Sequence, residues 1–184
     1  LKNATGFTRW DNFVLFRGVM FQHSTSPLPF YYLPYMMLVT LPLYVVALGA
    51  ITNVASALLM NPDIADRMVV VFLGGHSLDW PQNQEFNLSQ DVAAGRVVYG
   101  SGAPLVMLPC LGVVSTFTTT GPELDHWLRG KNALCDFLVK NTVDEVKTYA
   151  EGKVWSRVLW DVTAVGWLLN DDHRFLHSRL IPTP

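Results

Sequence analysis

Three short uncharged runs constrain the fold of this chain more than any other feature of its sequence. They are Leu43–Leu48, Met68–Leu73 and residues 104–109, and they consist mainly of aliphatic and aromatic residues. Runs of this length, when turn residues bound them, are typical of strands that a sheet buries on both faces. Helical patterns follow the first two runs, at residues 54–60 and 91–99. This alternation predicts βαβ units, and therefore an α/β, Rossmann-like domain with a mostly parallel sheet flanked by helices.

The second half of the chain is predicted to be mostly helical. Residues 123–138 place apolar side chains at helical spacing, and residues 141–153 carry acidic residues in their first turn. An apolar run over residues 162–169 follows Asp161. We therefore expect three helices in this half, all within a domain that spans residues 42–184.

Residues 1–41 are interpreted as a separate apolar segment. No Asp, Glu, Lys or Arg occurs in residues 18–62, and residues 31–51 are long and apolar enough for a membrane span. Pro34 and Pro42 interrupt this stretch, so a buried strand after an irregular apolar segment explains it equally well. A membrane-anchored protein therefore stays open as an alternative, and the sheet is expected to lack its first strand.

Composition narrows the classes of function. The formal net charge is -2 and 15% of residues are charged, so the chain lacks the basic excess that is typical of nucleic-acid-binding proteins. Half of the residues are hydrophobic, which argues against a disordered chain. Cys110 and Cys135 have neither metal-binding nor redox-motif spacing, and they are expected to be reduced thiols of a cytoplasmic protein.

Polar residues follow the predicted strands at the sheet edge where α/β domains bind ligands. Thr52 follows the first strand, where the next helix needs a cap, and Glu85 and Asn87 follow the second strand. Residues two apart in an extended segment point the same way, so Glu85 and Asn87 together can hydrogen-bond vicinal hydroxyls of a sugar. The same two residues also fit a solvated loop.

Asp161 stands immediately before an apolar helix. A carboxylate beside the positive end of a helix suits a hard cation with oxygen ligands. The alternative is that Asp161 simply caps the helix. Spacing alone leaves both interpretations open.

Four segments resemble successive motifs of the inosine/uridine-preferring nucleoside hydrolase family. They are ALGAITNVA at residues 47–55, VVVFLGG at 69–75, EFNLSQD at 85–91 and WDVTAV at 160–165. Their order and spacing are similar to those of the C-terminal part of the family. The resemblance implies a Rossmann-like fold and hydrolysis of the N-glycosidic bond of ribonucleosides to base and ribose, with calcium as the cofactor.

The resemblance also implies roles for individual residues. Asp161 and the main-chain carbonyl of Thr52 would be calcium ligands. Glu85 and Asn87 would hold the ribose hydroxyls.

Two positions depart from the family's usual pattern. In the loop after the second strand, Asn83 or Asp79 would replace the usual asparagine of the ribose site. Trp160 stands where many members have a histidine that protonates the leaving base. An indole cannot act as that acid, but it can stack on the base.

The family's N-terminal cluster of aspartates has no counterpart here. Asp11 is the only acidic residue before Asp63, whereas Ca²⁺ takes about six to eight oxygen ligands. Base release from ribonucleosides is therefore the expected reaction of the fold, and turnover by this chain stays open. The alternative is a non-catalytic remnant that binds a nucleoside or a partner protein. An incomplete sheet edge favours a homo-oligomer.

Overall fold

A four-stranded parallel sheet forms the centre of the molecule. The computed structural model describes the backbone of residues 13–17 and the whole of residues 42–170, 173–174 and 176–181. The strands lie in the order β1-β2-β3-β4. They are β1 Phe13–Arg17, β2 Leu43–Leu48, β3 Met68–Leu73 and β4 Leu105–Leu108.

Six α-helices and a short two-stranded antiparallel sheet complete the part of the chain that the structure describes. The helices are α1 Thr52–Met60, α2 Phe86–Gln90, α3 Val92–Tyr99, α4 Gly121–Trp127, α5 Ala133–Ala150 and α6 Val162–Leu168. The second sheet pairs β5 Thr118–Thr119 with β6 Arg157–Val158. Short 3-10 helices occupy Pro62–Arg67 and Val114–Thr116.

Helices cover both faces of the main sheet, which explains why β2, β3 and β4 contain no charged residue. Val45 and Phe72 pack on one face with residues of α1 and α3. Val46 and Val71 point to the other face, where they pack with residues of α6 and of the turn before β5. Val46, Val71 and Phe72 are fully buried, and burial of each such side chain contributes roughly 1.5–3 kcal/mol to folding.

The predicted α/β class with a parallel sheet is confirmed. Strands β2 and β3 have the predicted bounds, and residues 104–109 contain β4. Strand β1 was not expected, because no family motif or clear strand pattern marks residues 1–41. It pairs in parallel with β2, with Arg17 opposite Leu48 at the carboxyl edge.

The interpretation of residues 31–51 as a membrane span is wrong for its second half. Leu43–Leu48 is a strand hydrogen-bonded between two others, and residues 31–41 lie outside the described residues. Among the helices that the structure describes, none combines the length and the apolar character that a membrane span needs.

Two helix predictions were wrong in their bounds. The predicted helix at 123–138 is two helices, and the predicted helix at 141–153 is the second half of α5. Gly130, at φ +75°, turns the chain between them. Asn132 then begins α5 by accepting a hydrogen bond from the Cys135 amide at 2.9 Å. This cap satisfies a free N–H of the new helix, and it lies inside what looked like one continuous apolar periodicity.

Candidate functional site

The loop after β3 is tied to the carboxyl end of β4 by main-chain hydrogen bonds that continue the strand pairing. The Cys110 amide donates to the Gly75 carbonyl at 2.8 Å, and the Ser77 amide donates to the Leu111 carbonyl at 2.9 Å. Gly75 has φ +71°, and a Cβ there would lie 2.6 Å from Cε of Met107. The positive φ therefore favours glycine at this position, whereas the Met107 contact is with the end of a flexible side chain that can move aside.

Glu85 is buried in the centre of this edge, with 5% of its surface exposed. It is the N-cap of α2, and its carboxylate accepts hydrogen bonds from the amides of Asn87 and Leu88. The expectation that Glu85 and Asn87 share an extended segment was wrong, because Asn87 lies in the first turn of α2. The interpretation of Glu85 as a solvated loop residue was wrong too.

Cys110 joins Glu85 and Asp161 in one electrostatic neighbourhood. The Cys110 thiol donates to Oε1 of Glu85 at 3.3 Å. Burial, then the charge and hydrogen bond of Glu85, and then the charge of Asp161 raise the pKa of Cys110 to about 12. Cys110 was not predicted to belong to the site. Its position two residues after β4, at the edge where ligands bind, was the available signal.

Asn83 lies in the loop before α2 and Asn87 in the first turn of α2, and each side chain makes one hydrogen bond to the main chain. Oδ1 of Asn83 accepts from the His76 amide at 2.7 Å. Nδ2 of Asn87 donates to the Leu73 carbonyl, the last of β3, at 2.8 Å. Within the described part of the chain, these bonds leave Nδ2 of Asn83 and Oδ1 of Asn87 without a partner. Asp79, the alternative to Asn83, is exposed in the same loop.

Thr52 was expected to cap α1, but the N-cap is Ile51 and Thr52 is the first helical residue. Its hydroxyl donates to Oδ2 of Asp91 at 2.6 Å, which links α1 to the N-cap of α3. Its carbonyl accepts from the Ser56 hydroxyl at 2.8 Å. That carbonyl therefore lies along α1, in the usual geometry of a helical carbonyl.

Trp160 and Asp161 form the turn that leads into α6. Trp160 has φ +29° and is 42% exposed, so the indole is available to a ligand and its backbone is strained. Asp161 is the N-cap of α6 by position, but its side chain makes no capping hydrogen bond. The carboxylate is therefore not committed to holding the helix end.

The calcium ion that the resemblance implies needs more oxygen ligands than the described residues supply at this edge. Within the described residues, no three or more His, Cys, Asp and Glu side chains form a group that could hold a metal ion. Asp161 supplies one carboxylate, and the Thr52 carbonyl is already hydrogen-bonded to Ser56. Because Ca²⁺ takes about six to eight oxygen ligands, the described donors do not fit a calcium site.

Two open grooves lie away from this edge. One, of about 330 Å³, is lined by the C-terminal ends of α1 and α3, including Leu58 and Arg96. The other, of about 360 Å³, lies between Thr120 and Trp155. Neither contains a residue of the Glu85 neighbourhood, so the two grooves carry none of the chemistry described above.

The chain is an α/β domain with polar residues at the carboxyl ends of its parallel strands, the edge where domains of this class bind ligands. The chain belongs to the inosine-uridine preferring nucleoside hydrolase family, whose model matches residues 35–181. This confirms the family that the sequence motifs resemble.

Curated relatives are longer than this chain. The pyrimidine-specific ribonucleoside hydrolase RihA of Salmonella typhimurium is 27% identical over 137 residues, which are 71% of this chain and 43% of the relative. RihA of Salmonella dublin is 26% identical over the same shares. The chain therefore spans less than half the length of these relatives.

Solved structures of nucleoside hydrolases share the fold. A plant nucleoside hydrolase aligns with a TM-score of 0.60 at 18% identity, over 83% of this chain and 51% of that one. A purine-preferring ribonucleoside hydrolase from Gardnerella vaginalis aligns with a TM-score of 0.52 at 24% identity, over 68% and 42%. The inosine-uridine preferring nucleoside hydrolase of Bacillus anthracis gives 0.56 at 16% identity, over 79% and 48%.

Proposed function

We propose that this chain binds ribonucleosides at the carboxyl edge of its sheet and takes part in hydrolysis of their N-glycosidic bond. Membership of the family supports the class of reaction. The observation that carries the proposal is the arrangement of Asn83, Asn87 and Asp161 around the same sheet edge, with polar atoms that the protein does not itself use.

The side chains of Asn83 and Asn87 bind the ribose. The free Nδ2 of Asn83 donates to a ribose hydroxyl, and the free Oδ1 of Asn87 accepts from one. Of the ribose ligands that the resemblance implies, Glu85 alone has no acceptor position left, because donors of the protein surround it. The exposed indole of Trp160 stacks on the base.

Asp161 is the group that acts on the reacting bond. The transition state of glycosidic cleavage resembles an oxocarbenium ion, and a carboxylate that is not tied to a helix end stabilises the positive charge on the ribose. The C1′–N bond breaks with its electron pair on the base, and water adds to C1′ as Asp161 accepts a proton from it. The base takes its proton from solvent, because the indole N–H of Trp160 is a hydrogen-bond donor and not an acid that could protonate the base.

Calcium is the cofactor that the resemblance implies. Its ligands would have to include groups outside the described residues, because the described donors do not fit it. No step is therefore assigned to the metal.

A second candidate function is nucleoside binding without turnover. It is favoured by a single observation: of the three carboxylates Glu85, Asp91 and Asp161, only Asp161 is neither saturated by donors nor bonded to a helix end. Asp91 caps α3, and Glu85 is enclosed by donors.

Release of base from inosine, uridine and adenosine separates the two functions, measured with calcium and with chelator. Base release that is lost in Asp161→Asn and kept in Asp66→Asn, an exposed control, supports hydrolysis. Nucleoside binding by titration calorimetry without base release supports the second function. If the folded chain neither binds a nucleoside nor releases base, both functions are contradicted.

Two further features of the whole protein stay proposals. The free cysteines Cys110 and Cys135 support a cytoplasmic setting, where thiols remain reduced. Homo-oligomerisation is proposed because, among the described residues, β1 and β4 are edge strands of the parallel sheet. Light scattering of the purified chain tests it.

A further inference from the structure

The first two turns of α5 expose apolar side chains. Leu134, Phe137 and Leu138 are 65%, 58% and 46% exposed, whereas Val139 faces the core and is buried. Residues three and four apart share one side of a helix, so the three exposed side chains form a stripe. Trp127, the last residue of α4, is 67% exposed as well. The four side chains expose on the order of 500 Å², which is as large as the largest apolar patch of most monomeric proteins.

The turn before α5 holds this stripe in a defined position. The Gly130 amide donates to Oδ1 of Asp136 at 2.7 Å, and the Cys135 amide donates to Oδ1 of Asn132 at 2.9 Å. These bonds cap the start of the helix, so the stripe does not lie on a fraying end. A preorganised surface loses little conformational entropy when another surface covers it.

Polar residues of opposite charge lie at the two ends of the stripe. Lys131 precedes α5, and Asn141 and Glu145 follow Leu138 along the same side of the helix, and all three polar residues are exposed. The stripe is therefore positive at its start, apolar in its middle and negative at its end. An antiparallel copy of the same stripe brings Lys131 of one subunit towards Glu145 of the partner subunit. The same arrangement places Leu134 beside Leu138 of the partner subunit.

The other charged residues of α5 do not oppose such a contact. Nζ of Lys140 lies 2.6 Å from Oδ2 of Asp144, and Nζ of Lys147 lies 3.6 Å from Oδ1 of Asp144. Glu145 pairs with Arg157 of its own subunit at 2.9 Å, so Lys131 of the partner subunit would be its second cation. A two-fold axis brings identical surfaces together, and a surface with a net charge would repel its copy. The middle of this stripe is uncharged, which favours a second copy of the chain over a strongly acidic or basic partner.

We propose that the exposed stripe of α5 is an interface between two copies of this chain, which pack antiparallel about a two-fold axis. A stable interface buries roughly 800 Å² on each partner. The four apolar side chains supply on the order of 500 Å² of this area, and the polar ends of the stripe add to it. The interface goes beyond the proposed function, because none of its residues is assigned to the ribonucleoside site. It also differs from a contact through the sheet edges β1 and β4.

Sedimentation velocity of the purified chain over a concentration series tests the interface. Wild type is expected to form a dimer with a Kd on the order of 10 µM, since the area lies at the low end for specific interfaces. Leu134→Glu and Phe137→Glu each bury an unpaired charge in the interface and are expected to raise the Kd at least about tenfold. Leu59→Glu is the matched control, because Leu59 of α1 is 67% exposed, and it is expected to leave the Kd unchanged. Circular dichroism checks that the variants are folded, and glutamate is a good helix former.

A charge exchange tests the antiparallel arrangement. Lys131→Glu and Glu145→Lys each place like charges across the interface and are expected to raise the Kd by about threefold to tenfold. The double variant Lys131→Glu/Glu145→Lys restores opposite charges and is expected to return to within about twofold of wild type. If the double variant is as weak as the single variants combined, the antiparallel arrangement is wrong.

Two results overturn the interface itself. A wild-type chain that stays monomeric at the highest concentration overturns it, whether another segment of protein or another molecule covers the stripe. A dimer whose Kd is unchanged in both Leu134→Glu and Phe137→Glu uses a different surface and overturns it as well. None of these measurements contains a nucleoside, so their outcome is independent of whether the proposed function holds.

Discussion

The thiol of Cys110 donates to the carboxylate of Glu85 across 3.3 Å, although the two residues are 25 positions apart. The bond joins the end of β4 to the start of α2 and places both beside Asp161, whose charge also acts on the thiol. Glu85, Cys110 and Asp161 therefore interact electrostatically at the carboxyl edge of the sheet.

The first prediction concerns alkaline pH. Burial, together with the charge of Glu85, raises the pKa of Cys110 from 9.0 to about 12. A thiol with a raised pKa in the folded state contributes stability that is complete below its unfolded value. That stability is lost as the pH rises from about 9 towards 12. Urea unfolding from pH 8 to 11 is expected to show a fall that Cys110→Ala lessens.

The same shift predicts unequal reactivity of the two thiols. At pH 8 the thiolate fraction of Cys110 is lower than that of an ordinary thiol by about a thousandfold. Cys135, which is partly exposed, therefore reacts first with an aromatic disulfide reagent. Equal rates for the single variants Cys110→Ser and Cys135→Ser would contradict this.

Thr163 offers a stabilising substitution. It is fully buried in α6, and its hydroxyl has no hydrogen-bond partner in the described structure. Removing an unsatisfied buried hydroxyl at constant shape is expected to stabilise the fold by about 1 kcal/mol. Thr163→Val should raise the midpoint of urea unfolding, with Thr148→Val on an exposed face as control. A lower midpoint would mean that the hydroxyl has a partner in solution.

The backbone conformation of Trp160 is predicted to lower the stability of the fold, whereas its indole ring is predicted to increase the affinity for a nucleoside. Its φ of +29° lies in the region that favours glycine. Trp160→Gly is therefore expected to be more stable than Trp160→Ala by about 1 kcal/mol. Both variants remove the ring, so both should lose nucleoside affinity equally. A variant pair with equal stability would show that the strain is absent.

Asp91 is expected to make the stability of the fold depend on pH in the acidic range. The hydrogen bonds from the Thr52 hydroxyl and then from the Ala94 amide lower the pKa of Asp91. A lowered pKa contributes stability that is present above the unfolded value and is lost as the pH falls through the folded value. Thr52→Val should flatten stability profiles between pH 5 and the acid transition, which are checked by thermal unfolding. An unchanged profile would remove this link between α1 and α3.

The sequence predicted the central strands well, because burial on both faces dominates their composition. Leu43–Leu48 and Met68–Leu73 are strands with the predicted bounds. A strand that is buried on both faces is an uninterrupted uncharged run, whereas a helix of the same length would bury only one face and could carry charged residues on the other. The break between α4 and α5 was missed, since a positive φ at Gly130 and a cap at Asn132 interrupt an apolar periodicity that continues across them. Local backbone geometry decided the outcome there.

The motifs predict individual site residues, which stays a prediction, but they do not predict how these residues bond to one another. The motifs pointed to Glu85, Asn87 and Asp161, which lie at one edge of the sheet. Nothing in the spacing of Glu85 and Cys110 indicates that they bond, because the contact depends on how β3 and β4 align. The same holds for Thr52, whose partner Asp91 lies 39 residues away.

The most direct test of the central claim is to map where a nucleoside binds, by titrating inosine into ¹⁵N-labelled protein and following the amide resonances. The largest shifts are expected at Gly75, Asn83, Asn87 and Asp161, and the shifts at α1 and α3 near Leu58 should stay small. Shifts that cluster around the Leu58 groove instead, or the absence of shifts at saturating inosine, would contradict a ribonucleoside site at the carboxyl edge.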